Sequence, residues 1–147
     1  GWRFYEAGIN HSLTLVQGSM IIPSGGYAII ADNATTFLDV EAECKCTVID
    51  SAFSLNNSGE YIALKNATLG IIDEVAYNAS WGADGNNRTL ELNATGGWDE
   101  SRVDGGTPCQ QNSVLADDYS GEWEGTDEGC LGIYSDGGVV GACRNEE

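Results

Sequence analysis

Tyr61-Ile62-Ala63-Leu64-Lys65-Asn66-Ala67-Thr68-Leu69-Gly70-Ile71-Ile72-Asp73-Glu74-Val75-Ala76-Tyr77 is the stretch on which the fold reading turns. Two β-rich runs flank Asn66-Ala67-Thr68-Leu69-Gly70, a loop of turn-forming residues, so the segment reads as a hairpin. In the second run Ile71, Val75 and Tyr77 share one face by the two-residue period of a strand. Asp73 falls on the same face. A carboxylate there reads as one bonded to loop amides and fixing a turn, in preference to a catalytic group.

Outward from this hairpin the same punctuation recurs. Residues 13–16 read as a strand. Residues 20–22 run into the turn Pro23-Ser24-Gly25-Gly26, and Tyr27-Ala28-Ile29-Ile30-Ala31 reads as a buried strand closed by Asp32-Asn33. Residues 36–40 suit one helical turn, residues 46–49 and 89–92 suit short strands, and residues 98–102 read as extended or irregular. No long stretch holds a helical period. Short strands at regular spacing predict an all-β chain, specifically a sandwich.

Composition is consistent with one domain. The chain has 147 residues, 41% of them apolar, with four Trp, six Tyr and three Phe, enough for a modest core. Its 23 Asp plus Glu against 6 Lys plus Arg give a net charge of -17. That excess argues against nucleic acid, whose backbone selects Lys and Arg. No apolar run approaches the roughly 20 residues that cross a bilayer, so no membrane insertion is expected. The chain opens Gly1-Trp2-Arg3, with neither an initiator Met nor a basic-then-apolar leader, as a processed secreted chain or a fragment would.

Five cysteines occur, Cys44, Cys46, Cys109, Cys130 and Cys143. Cys44 and Cys46 are too close in sequence to suit mutual pairing or a zinc knuckle. His11 is the only imidazole. The pattern reads as disulfides in an oxidising compartment, with one cysteine left over, free or joined to another chain, and with the pairing open.

Seven Asn-x-Ser/Thr sequons begin at Asn10, Asn33, Asn56, Asn66, Asn78, Asn87 and Asn93. Eleven Asn and 20 Ser plus Thr give only about 1.5 by chance. The turn preference of Asn, Ser and Thr explains part of the excess; secretion with several occupied sites explains the rest. N-linked glycans are therefore expected, each marking an exposed position.

Enzyme chemistry finds little footing. His11 adjoins a sequon, which makes it an exposed loop residue if Asn10 carries a glycan. There is no nucleophile elbow, zinc-protease helix or phosphate loop, so a non-enzyme is expected and no cofactor is required. Calcium is the most plausible metal, given abundant carboxylates. Asp117, Asp118 and Glu122, in the acidic run 117–128, are the leading candidates, with Asp84-Gly85-Asn86 second; a solvated acidic loop is the plainer reading. Trp81, Trp98 and Trp123 are candidates for a sugar-stacking strip, although Trp in a small sandwich more often fills or covers the core.

The order of motifs over residues 1–113 resembles the lamin tail domain family in its extracellular prokaryotic form. The matching pieces are Gly1-Trp2; Gly25-Gly26-Tyr27-Ala28-Ile29-Ile30-Ala31-Asp32 with Phe37; and Leu55-Asn56-Asn57-Ser58-Gly59-Glu60-Tyr61-Ile62-Ala63-Leu64. They continue with Gly70-Ile71-Ile72-Asp73-Glu74-Val75-Ala76-Tyr77, Trp81, Ala83-Asp84-Gly85, Thr89-Leu90-Glu91-Leu92, Trp98, Gly106-Thr107-Pro108 and Asn112. The resemblance implies an immunoglobulin-like β-sandwich without a catalytic centre, acting as an interaction module. The family domain begins with strands before its Gly-Trp turn that are missing here, and Cys109 stands where the family has Gly.

Two segments are thus expected. Residues 1–113 form the lamin-tail-like sandwich. Residues 114–147 form an acidic, Gly-rich and largely irregular tail, pinned by Cys130 and Cys143, with short strands around Leu131, Ile133, Tyr134, Val139 and Val140. A sandwich without its first strands has an open edge, and a neighbour's tail could fill it by strand donation. The functional expectation is a secreted, glycosylated structural or adhesive module of a cell-surface layer or filament. Its partners would be copies of itself or other cell-surface proteins. The alternative is an accessory binding domain, for carbohydrate or protein, of a larger secreted enzyme.

Overall fold

A computed structural model describes residues 1–115 and the strands 130–135 and 138–143. The chain is mostly β. The hairpin forms as expected: β6 (Gly59–Lys65) pairs antiparallel with β7 (Ile71–Asn78), with Ile62 opposite Val75 and Tyr61 opposite Ala76. Val75 and Tyr77 point inward, whereas Ile71 is exposed, beyond a register shift at Leu64/Lys65. Asp73 accepts the N–H of Glu74, its neighbour within β7, at 2.9 Å, a strand amide and not one of the loop.

This hairpin is half of a four-stranded sheet ordered β2-β1-β6-β7, with β1 (Arg3–Glu6) and β2 (Ile9–Ser12). The strand β1 was not anticipated, because its inward positions are Phe4 and Glu6, both buried. A charged residue at an inward position breaks the apolar alternation that marks a strand.

The second sheet contains β3 (Thr14–Gln17), β4 (Tyr27–Ala31), β5 (Thr47–Asp50), β8 (Leu90–Leu92), β9 (Trp98–Glu100), β10 (Cys130–Ser135) and β11 (Gly138–Cys143). Their order is β3-β5-β4-β10-β11-β8-β9. Three of its pairings, β4 with β5, β4 with β10 and β11 with β8, are parallel. Between β4 and β5 the chain crosses over through α1 (Ala34–Val40). Parallel strands covered on both faces are apolar without alternation, which accounts for Tyr27-Ala28-Ile29-Ile30-Ala31.

The two faces of β4 serve two cores. Ile30 packs with Phe4, Ile49, Phe53, Ile62, Tyr77 and Leu90, a cluster drawn from both sheets. Ile29 and Ala31 face the other way, onto Ala34 and Phe37 of α1, Cys44 and Val48. The helix is longer than the single turn expected. Asn33 caps it by accepting the Thr36 N–H at 3.0 Å, and the Ala34 N–H donates to Asp50 Oδ1 at 3.0 Å.

Residues 20–22 lie in the connection that leads to the Pro23–Gly26 turn, with Ile21 83% exposed. The extended reading of residues 98–102 holds for 98–100, a strand paired with β8. One expectation is corrected: the short strands foreseen in the C-terminal segment form, but the segment is not an irregular appendage. Its strands β10 and β11 form a hairpin in the middle of the larger sheet, pairing Cys130–Tyr134 with Tyr27–Ala31 and Val140–Gly141 with Leu90–Glu91. Without them the backbone groups along one side of β4 would lack partners. Cys130 and Cys143 occupy opposite positions in that hairpin; their side chains lie outside the described residues.

Candidate functional site

The seven sequon asparagines are distributed over both sheets, and none is buried. Asn10 is exposed on β2, Asn33 caps α1, Asn56 sits in the turn before β6, and Asn78 ends β7. Asn87 is exposed with φ +66°. Asn66 and Asn93 open the loops of the β6–β7 and β8–β9 hairpins.

Those two loops are built alike. In Asn66-Ala67-Thr68-Leu69-Gly70, the Asn66 Oδ1 accepts from the Thr68 N–H (3.0 Å), the Thr68 hydroxyl (2.8 Å) and the Gly70 N–H (2.9 Å). In Asn93-Ala94-Thr95-Gly96-Gly97, the Asn93 Oδ1 accepts from Thr95 N–H (3.0 Å), its hydroxyl (2.8 Å) and Gly97 N–H (2.9 Å). The fourth residue is left-handed in both, Leu69 at φ +64° and Gly96 at +79°. Asn78 repeats the shorter part, accepting from the Ser80 N–H and hydroxyl. The amide oxygen thus organises the turn, and the amide nitrogen is the atom a glycan would take. At Asn93 that nitrogen also donates to Asp99 Oδ2 at 2.7 Å. The shared five-residue pattern is visible in the sequence, but only a comparison of the two loops would have found it.

The cysteines form a second focus. Cys44 and Cys109, 65 residues apart, are joined by a disulfide, with Cα atoms 5.6 Å apart. Cys46 is the free thiol among the described residues. It stands beside the bridge, its Sγ 3.3 Å from that of Cys44, and the three sulfurs lie within 4.8 Å of one another. Gln17, at the end of β3, fixes this arm: its Nε2 donates to the carbonyls of Cys44 (2.9 Å) and Cys46 (3.0 Å). The three cysteines line a cavity of about 540 Å³ with Ile21, Tyr27 and Pro108. Burial pushes the Cys46 thiol up to about 11.

The other candidates are placed as follows. His11 is no exposed loop residue: it lies on β2, half-buried, with Nε2 3.2 Å from Oε1 of buried Glu6. The two atoms touch without the alignment of a hydrogen bond, and no hydroxyl or thiol is bonded to that nitrogen. Trp81 and Trp98 stack on each other, centroids 6.3 Å apart at 12°, and pack half-buried against the core. The Asp84-Gly85-Asn86 loop is held through Asn86, whose Nδ2 donates to Glu100 at 2.5 Å and whose Oδ1 accepts the Arg88 N–H. Asp117, Asp118, Glu122 and Trp123 lie outside the described residues. Sequence reasoning passed over Glu91, a buried carboxylate that accepts from the Thr107 and Ser113 hydroxyls, both at 2.6 Å, and from the Val114 N–H at 3.2 Å. No protein-family model matches the chain, and no curated protein or solved structure does either.

Proposed function

We propose that this chain is a secreted, N-glycosylated and non-catalytic structural module, a lamin-tail-like domain of immunoglobulin-like character in a cell-surface layer or extracellular filament. The observation that carries the reading is the placement of the sequons: all seven asparagines stand outside the core, and three are preformed turns in which the hydroxyl of the Ser or Thr already meets the Asn amide. A buried disulfide cysteine and a charge of -17 suit an oxidising, solvent-exposed setting. The partners are copies of itself or other cell-surface proteins. Exposed apolar residues at two sheet edges support contact of this kind: Leu15 and Val16 on β3 with Met20–Ile22 after it, and Ile71 and Ile72 on β7.

The test is intact-mass analysis of the protein from its native source, with electron microscopy of the same material. A mass above that of the 15.6 kDa chain in glycan-sized steps, together with repeating assemblies, is expected. A chain of unmodified mass that remains monomeric would sink the reading.

A further inference from the structure

We propose that Cys44, Cys46 and Cys109 form a thiol–disulfide exchange site, in which the bridge to Cys109 passes between Cys44 and Cys46. Three sulfurs within 4.8 Å are closer than structural isolation of a bridge requires, and the free one is in contact with it. Cys44 and Cys46 share one short arm, whose two carbonyls are held by the single amide of Gln17. Both sulfurs thus stand on one fixed piece of backbone, within 4.8 Å of the Cys109 sulfur. The three residues line the cavity beside them, which gives the side chains room to turn.

The step is balanced within the cluster. At rest the Cys46 Sγ lies against Cys44 Sγ; once its side chain turns in the cavity, the Cys46 thiolate attacks Sγ of Cys109, and the Cys46–Cys109 bond forms as the Cys44–Cys109 bond breaks. The electron pair leaves on Cys44, which takes up a proton equivalent to the one Cys46 released. One thiol and one disulfide stand on each side, so no oxidant or reductant is consumed. Exchange moves the free thiol from half-buried Cys46 to Cys44.

Only the thiolate attacks. With the Cys46 thiol pushed up to about 11 by burial, the bridge rests at neutral pH and exchange quickens about tenfold for each unit of rising pH below that value. The charged and titratable groups around the cavity are Glu41, Glu43, Lys45 and Tyr27.

The experiment uses the full oxidised chain. Samples held without reductant at a series of pH values are quenched in acid with denaturant, labelled with a maleimide and digested with trypsin. Cleavage after Lys45 separates Cys44 from Cys46. The expected result is label on Cys46 at the start, with a share on Cys44 that grows faster at higher pH and at a rate independent of protein concentration. A second measurement uses Cys44→Ser, expected to retain a bridge as Cys46–Cys109. Label that stays on Cys46 alone, appears on Cys109, or moves at a concentration-dependent rate would overturn the proposal. So would a Cys44→Ser protein in which Cys46 and Cys109 are both free.

Discussion

At Leu69 the backbone is left-handed, a conformation that costs a side-chain-bearing residue about 1–2 kcal/mol. The equivalent place in the sister loop is Gly96, which meets the same requirement without a Cβ. Leu69 is 50% exposed, so removing it sacrifices little burial. Leu69→Gly is expected to raise stability by about 0.5–1 kcal/mol, and Gly96→Leu to lower it by about 1 kcal/mol, in urea unfolding of the unglycosylated chain. At Asn33 the sequon and the helix cap can be separated in the same way. Asn33→Ala removes both and should cost about 0.5–2 kcal/mol even without glycosylation, whereas Thr35→Ala removes only the sequon and should stay within about 0.5 kcal/mol. Glu100 contributes to the acid-side pH dependence. The Ala83 N–H, and then the Asn86 amide, hold its carboxyl below the ordinary value of 4.5. A depressed carboxyl contributes stability that is present above 4.5 and is lost as pH falls through the folded-state value. Glu100→Gln should therefore flatten the acid limb of a stability-against-pH curve and leave its alkaline limb unmoved.

Elements differ in how far the sequence reveals them, and the difference is one of range. The β6–β7 hairpin and β4 were legible because a loop of turn formers and a continuous apolar run are local signals. The sequons were legible for the same reason, being tripeptides. The strand β1 was hidden by Glu6, and the bridge by the sequence separation of 65 between its cysteines, a distance over which spacing says nothing about contact. Glu91 shows what burial adds. Its carboxylate gathers the segment 107–114 onto β8 and so helps place Cys109. Hydrogen bonds to a charged group contribute about 1.5–3 kcal/mol, so Glu91→Ala, which leaves buried donors unmet, should cost at least about 3 kcal/mol by thermal or urea unfolding. At Gly59, φ is +118° and an added Cβ would lie 2.3 Å from the Tyr77 carbonyl oxygen. Backbone cannot yield there as a side chain tip could, so Gly59→Ala should disturb the start of the β6–β7 ladder and lower the melting temperature more than Gly85→Ala. Gly85 also has positive φ but has open space around it.

For the whole molecule, the position of the C-terminal hairpin matters more than its length. Strand donation was expected to repair an edge, yet β10 and β11 lie in the interior of a sheet, between β4 and β8. Taking them away leaves β3-β5-β4 and β8-β9 as separate ribbons, the second with only two strands, which is marginal by itself in water. A chain ending at residue 115 should accordingly lose most of the roughly 5–15 kcal/mol of a typical domain and unfold without a sharp transition. Parallel pairing to β4 and to β8 requires no particular connection to residue 115, so a separate peptide covering 130–143 should restore cooperative melting when added in excess. The same independence permits two copies to exchange hairpins, an exchange that closes into dimers or runs on as a filament according to symmetry. A truncated chain that melts as sharply and at the same temperature as the full one, with no response to the peptide, would show that the hairpin contributes nothing to the core. Restoration by the peptide would establish that the sheet accepts this hairpin from outside the chain, the physical requirement for assembly by donation.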